Sequence, residues 1–416
     1  MRFMKSIFNK DISTLFKSSG WQNLVYLIAL VFLSLIMNPI EFGIFRTSYA
    51  YIIITSSIVM LGLNASITKY ITELTTNEKI GIYIATCYVI LITSLAGVLT
   101  LKYFTPAINI FHNGDISSYI LLCYFFSIFF SSIFQIILSG LQAEYKIKSY
   151  ANIQLTWKSI LFTSAALGGI SGRADLTFIT MTVSYAISLY FLKRHLDKYH
   201  KIRTFKKPSY NKFIFILKKG RWPFASACVS IIYINIEFLY ITDSDISSGI
   251  AGAYAMASLI FMAGGAFLYP FQTYAVSRVV SKKLKTNELW KLQIICFIAT
   301  LIFTALSLIT VILLNAFSTE KFNDNFVLFS IIVSIKLCLW GAYAITGAVL
   351  YHIGKEFESF LLSLISLLVI IAIPWIYNLE ASLQIMIKLQ LISNIFILLG
   401  SSILFLSSQK KINNES

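Results

Sequence analysis

Five ionisable side chains stand inside stretches that are otherwise apolar: Arg46, Lys158, Glu237, Lys336 and Lys388. A charge near the centre of a membrane span costs roughly 2.5–3.5 kcal/mol on insertion scales, so it normally faces a cavity or a partner. Four of the five are bases and one is an acid. If Glu237 neutralises one base, three remain without compensation from this set, and an anionic cargo can supply it. Phosphate oxygens accept strong charge-assisted hydrogen bonds from Arg and Lys. Arg46, Lys158, Lys336 and Lys388 are therefore the candidate substrate-binding residues. An exporter of cations calls for the opposite bias.

Each residue also has a plainer reading. Arg46 lies early in its span, so its long side chain can reach outward to water as well as into a cavity. Lys158, in YANIQLTWKSILFTSAALGG, is open in the same way on the inner side. Lys388 is shallow, and reaching outward is its stronger reading. Lys336, in FVLFSIIVSIKLCLWGAYAITGAVL, sits mid-span and is expected to face a cavity. Glu237, in SIIYINIEFLYITD, is either the structural partner of one of these bases or a cation-coupling carboxylate, with pairing favoured. The polar groups Asn64, Gln135, Asn235, Gln272 and Asn394 are expected to bond between helices. Aromatic rings can stack on sugars, but in such a chain they more often form interfacial belts.

The elements that must hold these groups follow from composition. Hydrophobic residues are 57% of the 416, charged residues 12%, and mean hydropathy is +0.77. A soluble domain uses about 25% charged residues, so this chain expects lipid as solvent. Runs of roughly 20 apolar residues span a bilayer. Spans are expected at about 20–38, 43–65, 81–104, 118–140, 150–170, 175–192, 222–242, 252–276, 290–314, 326–350, 357–377 and 383–407. Residues 39–42 read as a short outer turn, with Gly43 opening the second helix. The basic start MRFMKSIFNK leads into a retained helix, because no small-residue cleavage site follows the first apolar run.

The net charge of +16 raises the question of nucleic acid, but its distribution argues for topology instead. With the N-terminus in the cytoplasm, inward segments hold 27 of the 34 Lys and Arg, whereas outward segments hold four bases and eight acids. This positive-inside asymmetry places both termini in the cytoplasm. The segment 193–221 carries eleven Lys and Arg and separates six spans from six. It reads as a cytoplasmic connector beside anionic headgroups, with FIFIL (213–217) lying along the membrane surface. The expected domains are an N-terminal lobe (1–192), this connector, and a C-terminal lobe (222–416).

Cys87, Cys123, Cys228, Cys296 and Cys338 fall in five different spans without CxxC spacing, which indicates packing rather than disulfides or zinc. The four histidines lack metal-ligand spacing, and there is no GxxxxGK[ST] element. Neither metal, cofactor nor catalytic residue is expected.

Residues 41–73 align without gaps on 250–282, pairing Gly43 with Gly252 and Thr68-Lys69 with Ser277-Arg278. Arg46 falls opposite Ala255, outside the repeated scaffold. A parallel duplication of this kind relates repeats by an axis along the membrane normal. The stretch PIEFGIFRTSYAYIIITSSIVMLGLNASITKYITE resembles the second helix of polysaccharide flippases, with its Pro, acid-Phe-Gly-aromatic step, Leu-Gly-Leu and terminal base. DISSGIAGAYAMASLI is similar to the start of their eighth helix, and SGLQAEYKIKSYANIQL to their fourth-to-fifth helix turn. The likeness runs through essentially the whole chain in helix order. It points to the multidrug/oligosaccharidyl-lipid/polysaccharide exporter superfamily, and within it to the Wzx flippases of O-antigen assembly.

The fold so implied is all-α and membrane-integral: twelve transmembrane helices in two six-helix lobes related by a pseudo-two-fold axis. The activity implied is translocation of an undecaprenyl-diphosphate-linked oligosaccharide from the cytoplasmic to the periplasmic leaflet of the bacterial inner membrane. Its partners would be that lipid, the surrounding membrane lipids and other polysaccharide assembly proteins. An acid near Glu237, common in related exporters, implies an ion-coupling role there. The alternatives are a cation-coupled multidrug exporter of the same fold and, less in keeping with the short outward loops, a membrane-embedded polysaccharide polymerase.

Overall fold

A computed structural model of the chain describes residues 10–104, 118–199, 210–239, 250–280, 286–316, 324–377 and 383–408, all helix or short turn. Among the described residues, twelve helices of 21 residues or more overlap the twelve expected spans, although the helix at the seventh runs from Tyr210 to Ile234 rather than over 222–242. In chain order the helices are α1 (Lys10–Ile36), α2 (Pro39–Val59), the short α3 (Leu63–Tyr70), α4 (Thr76–Phe104), α5 (Ser118–Ala143), α6 (Ile147–Gly169) and α7 (Ala174–Tyr199). There follow α8 (Tyr210–Ile234), the one-turn α9 (Ile236–Leu239), α10 (Ile250–Val280), α11 (Thr286–Ala316), α12 (Asp324–Val349), α13 (Glu356–Ile376) and α14 (Leu383–Ser407). Among the described residues, eight helices are long and apolar enough by themselves to cross a membrane, or nine if the bent α10 counts as one span.

Backbone contacts divide the chain into two compact units. One comprises Leu24–Met37 and Ile44–Cys228; the other comprises Met1–Asn23, Asn38–Gly43 and Val229–Ser416. In the first, α6 packs on α7, and α5 packs on α3, α4 and α7. In the second, α12 is central, touching α10, α11 and α14, with α13 against α14. Lipid tails are as apolar as leucine, so such helices associate through close packing and interhelical polar bonds. The exposed Ile294, Ile298, Leu301, Ile302, Leu306 and Ile309 of α11 give it the apolar outer face that lipid requires.

One local expectation needs correction, and two further segments can be placed. Residues 39–42 are not a turn. Asn38 caps α2, its side-chain oxygen accepting the Glu41 N–H at 2.8 Å, and Pro39 occupies the first helical position, where its missing N–H costs nothing. The basic connector is largely helical, because α7 runs on to Tyr199 and α8 already begins at Tyr210; its remainder, 200–209, lies outside the described residues, as do the outward loop 105–117 and the acids Asp243, Asp245 and Glu380. FIFIL lies in α8 and shows two faces, with Phe215 exposed. Phe213 and Ile216 are buried with Met60, Leu63, Ile67 and Ile82, so one face of an apolar run beside many bases turned inward to a core that needed it.

Glycine is required at two places. Gly62, in the Leu-Gly-Leu break between α2 and α3, has φ +69°, and a Cβ there would come within 2.7 Å of the Phe224 backbone. Gly252 packs on the first turn of α2 so closely that a Cβ would stand 2.6 Å from the Pro39 carbonyl oxygen. Gly43 and Gly252, paired by the repeat, thus meet within one unit, although neither opens its helix.

Candidate functional site

The break between α8 and α9 lies at a buried polar cluster in the second unit. The Asn235 N–H turns back to the Ile231 and Ile232 carbonyls (3.2 Å each), and the Phe238 N–H bonds to the Asn235 carbonyl at 3.1 Å. Interrupting a helix leaves carbonyls in need of donors. The Lys336 ammonium, arriving from α12, lies 3.4 Å from the Ile234 carbonyl oxygen. It also donates to Glu237 Oε1 at 2.6 Å, and the Tyr254 hydroxyl of α10 donates to the same oxygen at 2.8 Å. Glu237 is fully buried and Lys336 is 7% exposed. Glu237 Oε2 makes no hydrogen bond among the described residues. The third side of the ammonium faces the Phe261 ring, 4.8 Å from its centroid. Opposite charges in a buried site hold each other because neither can be solvated alone.

Beside this pair is a cavity of about 170 Å³. Its wall includes Lys336, the rings of Tyr233, Phe261, Tyr269, Trp340 and Tyr343, and the amides of Gln272 and Asn394. Phe261 stacks on Trp340 (centroids 5.0 Å apart, planes at 25°), and Tyr269 meets the same indole edge-on at 5.5 Å. Polar wall groups are tied to neighbouring helices. Gln272 donates to the Ala344 carbonyl at 3.0 Å, and the Tyr343 hydroxyl donates to Asn394 Oδ1 at 3.0 Å. Those two amides do bond between helices as expected; Asn235 bonds locally instead, to the Ile231 carbonyl at 2.9 Å.

Two buried glutamines escaped the reading of the sequence. Gln390 on α14 donates to the Tyr233 carbonyl at 2.5 Å and thereby ties α8 to α14. Gln293 on α11 donates to the Gly341 carbonyl at 2.6 Å and accepts the N–H groups of Ile345 and Thr346 at 2.8 and 3.1 Å. Its amide therefore engages the backbone ladder of α12 just below Trp340. The available signal was an amide inside each of two apolar helices, the same signal that singled out Gln272 and Asn394.

The first unit holds the other mid-span bases. Of the apolar stretch of α2, 78% is buried, against 22% for α11, so Arg46 sits on an enclosed helix. Arg46 is 4% exposed and its Nη1 donates to the Tyr26 hydroxyl at 3.5 Å; reaching outward to water is not what it does. The Tyr26 ring packs 4.1 Å from Phe162, and Lys158 lies over Trp157 and Phe162 at 4.2 and 5.8 Å. The fold thus gathers Arg46 and Lys158 around one aromatic cluster. Among the described residues no carboxylate pairs with Lys158. Lys388, by contrast, is exposed on α14 and takes no part in the cavity wall.

Comparison with known proteins supplies the class. Three solved structures share the fold: the eukaryotic MATE transporter AtDTX14 (11% identity, TM-score 0.67, 97% of this chain and 98% of that one), an outward-facing multidrug resistance MATE family transporter of the MOP superfamily (14%, 0.62, 98% and 99%) and the Vibrio cholerae MATE transporter VcmN in its bent form (15%, 0.58, 98% and 99%). At such identities the likeness concerns fold alone. No curated protein matches the chain. The family signature described as "Polysaccharide biosynthesis protein" matches residues 8–282. Since that match covers well over half of a multi-pass chain that is helical throughout its described elements, this protein belongs to the polysaccharide biosynthesis protein family.

Proposed function

We propose that the chain is a flippase carrying an undecaprenyl-diphosphate-linked oligosaccharide from the cytoplasmic to the periplasmic leaflet of the bacterial inner membrane by alternating access. The observation that carries this reading is a polysaccharide-family match in a chain with a transporter fold. In this account the protein moves its substrate and makes or breaks no bond in it. The buried Arg46 and the half-buried Lys158, grouped around Tyr26 and Phe162, support an anionic head group. Lys336 is held by Glu237, so its charge contributes to substrate only when that pair opens. Glu237 is the candidate for an ion-linked step, through the oxygen that makes no hydrogen bond among the described residues. Both termini lie in the cytoplasm, on the basic side of the chain. In a strain lacking the protein, single lipid-linked repeat units should accumulate on the cytoplasmic face. Their accumulation on the periplasmic face would point to a polymerase instead.

A second reading, export of cationic compounds, is favoured by the multidrug transporters among the fold neighbours. It conflicts with the bases Arg46 and Lys158, each of which repels a cation; no carboxylate pairs with Lys158 among the described residues. Efflux of a cationic dye by purified protein would support it.

A further inference from the structure

We propose that the cavity in the Val229–Ser416 unit is a subsite for one neutral pyranose ring of the transported saccharide, with Trp340 as its stacking platform; this rests on the flippase reading. The first argument is charge. Lys336 and Glu237 cancel at 2.6 Å, so the cavity offers a diphosphate or an acidic sugar no net attraction to offset its desolvation. A cation fares no better, because the Lys336 ammonium already occupies the cation–π position over Phe261. The site therefore selects for an uncharged occupant.

The second argument is size. A cavity of about 150 Å³ accepts a benzene-sized ring, and drug-sized ligands need about 300 Å³ or more. At about 170 Å³ this one has room for a single six-membered ring. The third is wall chemistry. Aromatic faces carry a negative quadrupole, which attracts the weakly positive C–H groups on the apolar face of a sugar. Hydroxyls on the sugar's rim need partners, and the wall has them. Gln272 spends its N–H on Ala344 and leaves Oε1 as an acceptor, and the Trp340 indole N–H bonds to no protein group among the described residues. A polyprenyl tail would leave those polar groups unsatisfied. Gln293 and Gln390 fix the helices carrying Trp340 and Tyr233, so the platform is held in place before the sugar arrives.

The test uses the full chain in phospholipid nanodiscs and saturation-transfer NMR, with methyl glycosides of neutral hexoses and N-acetylhexosamines as probes. Inorganic pyrophosphate and tetraphenylphosphonium serve as competitors. A neutral glycoside should bind the wild type, weaken by about tenfold (the factor that about 1.4 kcal/mol makes) in Trp340→Ala, and largely recover in Trp340→Phe. Neither competitor should displace it. Absence of glycoside binding, equal binding by Trp340→Ala, or displacement by pyrophosphate or by the phosphonium ion overturns the subsite. The flippase reading is judged separately by translocation of lipid-linked saccharide. Wild-type translocation together with Trp340-independent binding removes only the subsite, whereas absence of translocation removes the reading on which it rests.

Discussion

Lys336 and Glu237 lie 99 residues apart in the chain and 2.6 Å apart in the fold. A buried ion pair is costly to break, since removing one partner leaves the other charge uncompensated, at about 3–5 kcal/mol. Lys336→Ala should therefore lower the melting temperature of the purified protein markedly, and adding Glu237→Leu should restore much of it. Equal stability of Lys336→Ala and wild type would show that the pair is not formed. Residue types alone revealed that five charges needed an explanation and that Glu237 was suited to pairing. Which base it would take was not legible, because that depends on how α9 meets α12. The same limit applies to Arg46, whose neighbour Tyr26 is set by packing, and to Lys388, whose exposure is settled by the rotation of α14.

At the scale of elements, breaks and turns carry more specificity than the helices they join. Gly62 combines a left-handed backbone with direct contact on Phe224. The backbone alone costs an L-residue about 1–2 kcal/mol, and the overlap adds to it. Gly62→Ala should destabilise the unit containing α2 and α3, seen as a lower melting temperature; an unchanged melt would contradict the close approach. In the α5–α6 turn, Glu144 bonds Lys79 at 2.7 Å and Lys146 at 2.5 Å. Burial pushes its carboxyl up, but the hydrogen bonds from Lys146 and Lys79 outweigh that and hold it below the usual range. A depressed carboxylate stabilises the fold above its unfolded value of about 4.3. That stabilisation is lost as pH falls through the lower folded value. The stability gap between wild type and Glu144→Gln should thus be full near neutrality and shrink on acidification; a gap independent of pH would exclude the clasp. The cap at α2 was legible in principle, since Asn-Pro followed by Glu41 is a helix-start signature. The burial of Phe213 and Ile216 was not, because it required knowing that Leu63 and Ile67 offered a core.

For the whole molecule, hydropathy located the twelve long helices of the described residues, the seventh least closely, because a 20-residue apolar run has few options other than a long helix. Helix order and the degenerate motifs pointed to the family, which the match over residues 8–282 bears out. Charge composition pointed to anionic cargo, and here three dimensions sharpen the account. Only Arg46 and Lys158 are gathered on one aromatic cluster, while Lys336 is held by an acid. The most direct test is translocation in proteoliposomes, with fluorescent undecaprenyl-diphosphate-linked oligosaccharide in one set and a cationic dye in another. The wild type should move the lipid-linked saccharide between leaflets and leave the dye. Arg46→Ala with Lys158→Ala should slow it by about tenfold or more, in keeping with the loss of charge-assisted bonds worth about 1.5–3 kcal/mol each. Dye transport without movement of the lipid-linked saccharide would contradict the account.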